Sequence, residues 1–90
     1  GHGMSEAKAI FITGGASGIG RATARLFASR GWRVGVADVN EAGLDDTVAG
    51  IGGMAHRYTL DVRDREGWTR ALDAFTRASG GRLDVLFNNA

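Results

Sequence analysis

Several residue types that often carry function in small proteins are missing or scarce in this chain. It contains no cysteine and no proline, one lysine and one tyrosine, and its formal net charge is +1. The absence of cysteine excludes a disulfide scaffold, a thiolate metal site and a cysteine nucleophile. The near-zero charge argues against a polybasic surface for nucleic acid or membrane lipid. No apolar run is long enough to span a membrane and nothing resembles a signal peptide, so we expect a cytoplasmic location.

The 90 residues, 43% of them hydrophobic, are enough for one globular unit and too few for two. Residues 1–3 precede Met4 and resemble an expression scar, so the domain is taken as residues 4–90. Glycine is abundant, with 15 copies, and most copies fall where an apolar segment ends. We therefore expect the glycines to form turns and loops.

Short apolar runs alternate with longer segments of helical periodicity. The runs predict four strands, at residues 9–13, 34–38, 55–60 and 83–87. The segments between them predict three helices, at residues 19–30, 41–51 and 65–79. The alternation β-α-β-α-β-α-β favours an α/β fold of the doubly wound, Rossmann type, a parallel sheet in the order 3-2-1-4 with helices on both faces.

The glycine-rich segment at residues 13–20, TGGASGIG, joins the first strand to the first helix, where a phosphate group can bind backbone N–H groups. A triphosphate-binding P-loop would need Lys and Ser or Thr after Gly20, and the chain has Arg21 and Ala22 there. The G-x-G-x-x-G dinucleotide pattern would need a glycine in place of Thr23. The segment fits T-G-x-x-x-G-x-G instead.

This pattern resembles the classical short-chain dehydrogenase/reductase family of oxidoreductases. The resemblance implies a loop that binds the pyrophosphate of a nicotinamide dinucleotide. The loop residues that it assigns to the cofactor are Gly14, Ser17, Gly18, Ile19 and Gly20. A methyltransferase-like domain, which would bind S-adenosylmethionine, is a weaker alternative because its loop normally lacks the Thr-Gly opening.

An acidic residue ends the second predicted strand and bears on the choice of cofactor. Asp38 lies 18 residues beyond Gly20, close to the spacing of about 20 at which an acid binds the adenosine ribose. Its carboxylate would also repel a 2′-phosphate. The positions where NADP-dependent relatives carry a basic residue hold Ser17 and Val39 here, so we predict NAD as the cofactor.

Two further segments match the same family. Asp61-Val62 follows the third strand and resembles the pair that contacts the adenine. Asn88-Asn89-Ala90 resembles the start of the segment that ends the fourth strand, where Asn88 and Ala90 would line the ribose side of the site. One of these asparagines is expected to brace the turn against Thr13.

The catalytic residues of the family are not present in these 90 residues. The family uses a tyrosine and a lysine four positions apart, whereas Tyr58 is followed at that spacing by Val62 and Lys8 lies 50 residues upstream. His56 is expected to be a half-buried strand residue, and no metal site is predicted. We therefore expect the cofactor-binding half of an alcohol dehydrogenase or carbonyl reductase whose domain continues beyond residue 90 and which forms a homotetramer or homodimer. A truncated, non-catalytic dinucleotide-binding domain is the alternative.

Overall fold

The structure is a computed structural model that describes residues 7–89. The predictions for residues 1–3 and for Ala90 lie outside the described residues. None of the helices in the described part of the chain has the length and apolarity needed to cross a bilayer.

The described residues form the predicted sheet with helices on both faces. The strands are β1 (Ala9–Thr13), β2 (Arg33–Asp38), β3 (Ala55–Thr59) and β4 (Val85–Asn88), and the helices are α1 (Gly18–Ser29), α2 (Glu41–Ala49) and α3 (Arg65–Ala78). The strands lie in the order β3-β2-β1-β4, and all three pairings are parallel. The predicted α/β class and the 3-2-1-4 order are confirmed.

Strand β1 is the centre of the molecule, since all five of its residues are buried. Ile10 and Ile12 pack in the cluster shared with α1 and α2, whereas Phe11 points to the opposite face, which α3 covers. The ring of Phe11 lies 5.7 Å from that of Phe75 and 5.8 Å from that of Tyr58. A strand buried on both faces reads as an unbroken apolar run, which is why the sequence predicted it well.

Two element boundaries differ from the prediction by two residues, and the others agree to within one residue. Helix α2 was expected to reach Ile51 but ends at Ala49, and Ile51 packs on the core from the turn that follows. Strand β4 was expected from residue 83 but begins at Val85. Asp84 precedes the strand and binds Ala9 twice, through its backbone N–H at 2.9 Å and its carboxylate at 2.8 Å.

Strand β4 leaves an apolar surface exposed at the edge of the described sheet. Val85 is 38% exposed and Leu86 is 48% exposed. The carboxyl ends of β1 and β4 lie side by side at the point where the chain order changes direction in the sheet. In doubly wound sheets this is the place where ligands bind.

Candidate dinucleotide-binding site

The glycine loop between β1 and α1 adopts a conformation that requires glycine. Gly14 has φ 70° and Gly18 has φ 57°, both in the left-handed region that side chains disfavour. A Cβ on Gly20 would lie only 2.0 Å from the carbonyl oxygen of Gly14. The spacing of these three glycines therefore reflects a tight turn in which the backbone of Gly14 packs directly against Gly20 in the first turn of α1.

The first turn of α1 has no side-chain cap. Ser17 is the N-cap residue, but its side chain makes no cap hydrogen bond, and the first turn has no acidic residue. In contrast, Asn40 caps α2 at the N–H of Gly43 and Asp64 caps α3 at the N–H of Gly67. The first N–H groups of α1 and the positive end of its dipole therefore remain available to an anion.

Asp38 connects the end of β2 to the glycine loop. Its Oδ2 accepts a hydrogen bond from the Ala16 N–H at 3.2 Å, and its Oδ1 accepts one from the Asn40 N–H at 3.1 Å. Each carboxylate oxygen retains lone-pair capacity for a further donor. The acid that was predicted to bind a ribose thus lies in direct contact with the loop that was predicted to bind phosphate.

A cleft of about 350 Å³ brings four of the predicted residues together. Its lining comprises the predicted Gly14, Asp38, Asp61 and Val62, together with Val39, Leu60 and Arg63. Ile19, which was predicted from the loop pattern, is not part of this lining and is 68% exposed at the start of α1. The cleft combines apolar side chains, which can pack against an adenine ring, with carboxylates that can accept hydrogen bonds from a ribose or an amino group.

Asp61 is held by its neighbour Arg63. The Arg63 Nη2 lies 2.8 Å from Asp61 Oδ2, and the Arg63 Nε and backbone N–H both donate to Asp61 Oδ1. These hydrogen bonds lower the pKa of the exposed Asp61 carboxyl to about 2. Asp61 is therefore a fixed, charged acceptor at neutral pH, and Arg63 is a residue that the sequence analysis did not assign to the site.

Trp68 is a second residue that sequence analysis did not assign to the site. It packs on the buried face of α3 in the cluster that contains Phe11 and Phe75. Its Nε1 also donates to the carbonyl oxygen of Val62 at 2.7 Å. This bond orients the peptide that follows Val62 and steadies one wall of the cleft. The six-residue separation gives no sequence signal, because it depends on how α3 returns over the sheet.

The end of β4 is joined to the end of β1, as predicted. The Thr13 hydroxyl donates to Asn88 Oδ1 at 2.7 Å, and the Asn89 N–H donates to Thr13 Oγ1 at 2.9 Å. The Asn89 side-chain amide lies 3.5 Å from the carbonyl oxygen of Gly14. Asn88 therefore orients the turn beside the glycine loop. Ala90, the other residue predicted in this segment, is outside the described residues.

The single lysine and the single tyrosine of the chain lie in different parts of the fold. Lys8 precedes β1 and its ammonium lies 5.6 Å from the centroid of the Trp32 ring. Tyr58 lies in β3 against Phe75, and burial raises the pKa of its hydroxyl. His56 is half-buried in β3, as predicted. Within residues 7–89 the cleft therefore has no tyrosine and lysine pair beside it.

The chain is similar to known oxidoreductases over nearly all of its length. The model of the short chain dehydrogenase family matches residues 8–90. A 2,5-dichloro-2,5-cyclohexadiene-1,4-diol dehydrogenase of Sphingobium indicum is 46% identical over 83 residues, which are 92% of this chain and 33% of that protein. The chain thus spans a third or less of the length of the curated relatives that it matches.

Solved structures give the same result for the fold. One of them is a 3-ketoacyl-(acyl-carrier-protein) reductase from Brucella melitensis, complexed with NADH. It superposes with a TM-score of 0.83 at 30% sequence identity, and the match covers 88% of this chain and 32% of the reductase chain. An actinorhodin polyketide ketoreductase variant with NADPH superposes with a TM-score of 0.88 at 34% sequence identity, and the match covers 96% of this chain and 34% of the ketoreductase chain. Similar structures therefore occur with either nicotinamide cofactor.

Proposed function

The chain belongs to the short chain dehydrogenase family, and from that premise we propose that it is the cofactor-binding portion of an NAD(H)-dependent alcohol dehydrogenase or carbonyl reductase. The bound nicotinamide supplies hydride exchange with an alcohol or carbonyl carbon. The residues of this chain bind and orient the adenosine and pyrophosphate of the cofactor. The observation that supports this proposal is the cleft in which the glycine loop, Asp38 and the Asp61–Val62 pair converge.

The described residues fit the chemistry of a dinucleotide. We propose that the uncapped first turn of α1 and the loop around Gly14, Gly18 and Gly20 bind the pyrophosphate, with Ser17 and Ile19 beside it. The cleft is lined by Asp38, Asp61 and Val62, which we assign to the adenosine end of the cofactor. Further residues are therefore needed for the nicotinamide end, and we propose that Asn88 and Ala90 begin that side.

The choice of NAD over NADP rests on Asp38. Its carboxylate accepts hydrogen bonds from two backbone N–H groups and has capacity left for the ribose hydroxyls. A 2′-phosphate at the same place would meet a like charge, a repulsion of about 4 kcal/mol at contact before screening. Arg63 is the cation that lines the cleft, and its guanidinium is already bound to Asp61.

We propose that the catalytic residues lie beyond residue 90. The chain spans a third or less of the length of its curated relatives, and β4 is an edge strand of the described sheet with the apolar side chains of Val85 and Leu86 exposed. The cytoplasmic location, the alcohol or carbonyl substrate and assembly as a homotetramer or homodimer are also proposals. The substrate and the assembly rest on the family alone.

Isothermal titration of the purified protein tests the proposal directly. We expect NADH to bind more tightly than NADPH, and S-adenosylmethionine not to bind. Tighter binding of NADPH would contradict the assignment of NAD, and binding of S-adenosylmethionine alone would contradict the oxidoreductase. An intact mass of 9.4 kDa for the protein isolated from its natural source would contradict catalytic residues beyond residue 90 and would favour a non-catalytic dinucleotide-binding domain.

A further inference from the structure

Behind the glycine loop lies a polar cluster that the cofactor-binding pattern does not include. Arg21 is in the first turns of α1, and Thr47 is in α2 with no exposed surface. The Arg21 Nε donates to Thr47 Oγ1 at 3.0 Å, and the Arg21 Nη2 donates to the carbonyl oxygens of Ala16 and Gly43. We call Arg21 and Thr47 together the Arg21–Thr47 clasp.

The clasp holds two successive carbonyl groups of the glycine loop. Thr47 Oγ1 lies 2.7 Å from the Gly15 carbonyl oxygen and 3.1 Å from that of Gly43. Since the hydroxyl has one proton and accepts from Arg21, its shorter contact makes Gly15 the main acceptor. The Ala16 carbonyl is held by Arg21 itself. Both loop carbonyls therefore point towards α2.

The direction of these carbonyls sets the direction of the N–H groups that follow them. A trans peptide is planar, so its C=O and N–H point in opposite directions. Holding the Gly15 carbonyl against Thr47 turns the Ala16 N–H the other way, and this N–H does donate to Asp38. By the same geometry, holding the Ala16 carbonyl against Arg21 turns the Ser17 N–H away from α2.

Arg21 also places a positive charge directly behind the loop. Among the described residues, no carboxylate lies within ion-pair distance of its guanidinium, and its acceptors are a hydroxyl and two carbonyl groups. The planar fork of arginine can bind several acceptors in fixed directions, which the ammonium of lysine cannot do. The clasp thus combines orientation of the loop with unneutralised positive charge.

We propose that Arg21 and Thr47 are positioning residues that hold the glycine loop in its pyrophosphate-binding conformation before the cofactor arrives. This inference rests on the proposed binding of a dinucleotide. Without the clasp the loop populates other conformations, and the apparent affinity falls in proportion to the fraction of molecules that remain competent. The effect is largest for ligands that contain a pyrophosphate, because adenosine contacts Asp61 and Val62 and depends on the loop only through the Ala16 N–H that holds Asp38.

The test compares ligands of increasing length on the purified protein. Thr47→Val removes the hydroxyl at nearly constant volume, and Thr47→Ser restores it. We expect Thr47→Val to raise the dissociation constants of NADH and ADP-ribose by about tenfold, as for a competent fraction of one tenth. The dissociation constant of adenosine, followed by NMR titration, is expected to rise by much less than that of NADH, and Thr47→Ser is expected to recover most of the NADH affinity.

A second pair of variants covers the case in which Thr47→Val does not fold. Arg21 is only half-buried, so Arg21→Met is expected to fold and to weaken NADH and ADP-ribose binding in the same way. Arg25→Met is the matched control, because Arg25 is on the same helix and its contact is with the Asp46 carbonyl at the surface. We expect Arg25→Met to bind NADH as the wild type does.

The outcomes separate this inference from the proposed function. If the wild-type protein binds neither NADH nor NADPH, the proposed function fails and the inference fails with it. If the wild type binds NADH and Thr47→Val binds it equally well, only the inference is overturned. Equal losses of affinity for NADH and for adenosine in Thr47→Val would also overturn the inference, because they would indicate a general structural role. The inference would likewise be overturned if Thr47→Ser bound NADH as weakly as Thr47→Val does.

Discussion

Thr13 and Asn88 face each other across the ends of β1 and β4, and their side chains form a 2.7 Å hydrogen bond from the threonine hydroxyl to the asparagine Oδ1. The same hydroxyl oxygen accepts the Asn89 N–H at 2.9 Å. One buried side chain therefore joins the two strands that flank the proposed cofactor crevice. Removal of the hydroxyl would leave both groups without this partner.

We expect Thr13→Val to lower the free energy of unfolding by about 0.5–1.5 kcal/mol, the net contribution of a typical hydrogen bond, because the exposed Asn88 amide can turn to water. Valine nearly preserves the shape of threonine, so the loss reports on the hydroxyl. Urea denaturation measures the change. Thr69→Val, at an exposed threonine of α3, is the control and is expected to change stability by less than about 0.5 kcal/mol. Equal stabilities of Thr13→Val and the wild type would show that the hydroxyl does not join the strands.

Asp38→Asn is expected to relax the rejection of NADPH. The substitution removes the negative charge that would face a 2′-phosphate while keeping the size of the side chain. We expect the ratio of the NADPH to the NADH dissociation constant to fall by about tenfold or more, since a contact repulsion of about 4 kcal/mol is only partly screened. Fluorescence titration with both cofactors measures this ratio. Asp46→Asn, at an exposed acid of α2, is the control, and an unchanged ratio in Asp38→Asn would remove Asp38 from the selection of the cofactor.

Gly43→Ala distinguishes helix propensity from packing. Alanine is favoured over glycine inside a helix by up to about 1 kcal/mol, so propensity alone predicts a more stable protein. However, a Cβ at Gly43 would lie 2.6 Å from the Ala16 carbonyl oxygen and 2.7 Å from the Ala16 Cβ. Overpacking of this kind destabilises by about 1–3 kcal/mol, so we expect a net loss of stability together with weaker NADH binding.

Gly50→Ala is the matched control for that substitution. Gly50 caps the same helix with right-handed backbone angles, and a Cβ there would be 3.5 Å from the nearest atom, which is an ordinary contact with Arg25. We expect Gly50→Ala to be neutral or slightly stabilising in the same denaturation experiment. A Gly43→Ala protein more stable than the wild type would mean that α2 can move away from the loop without loss.

His56 should make stability depend on pH. Its Nε2 is buried and has no hydrogen-bond partner among residues 7–89. Burial, and to a smaller extent the nearby charge of Arg33, lowers the pKa of His56 below its ordinary 6.5. The unfolded chain therefore takes up a proton more readily than the folded one. Stability contributed by neutral His56 is complete above pH 6.5 and is lost as the pH falls through the lower pKa of the folded state.

Urea denaturation at a series of pH values from about 5 to about 7.5 tests this, as histidine is the side chain that ordinarily titrates there. We expect His56→Gln to flatten the dependence in this window, because glutamine does not titrate. His2→Gln removes the other histidine of the chain and is expected to leave the dependence unchanged. An equally steep profile in His56→Gln would assign the dependence to another group.

The features that sequence analysis predicted correctly depend on residues close together in the chain. The buried run of β1 and the alternation of strands and helices gave the parallel sheet and its order. The turn at Gly14, Gly18 and Gly20 could be inferred from their spacing. The end of α2 and the start of β4 were wrong by two residues each. Those boundaries depend on contacts such as that of Asp84 with Ala9, which lie far apart in the sequence.

The sequence by itself determined the fold class, the position of the glycine loop and the acid at the end of β2, because each is a local pattern of apolar, glycine and acidic residues. Only the tertiary structure decided what supports these features. Gly43 would be judged a weak point of α2 by propensity, yet its missing side chain lets the helix meet Ala16. Likewise, Arg21 and Thr47 are 26 residues apart and meet only because α1 and α2 pack on one face of the sheet. Contacts across such distances are set by how the helices pack, which no short sequence pattern contains.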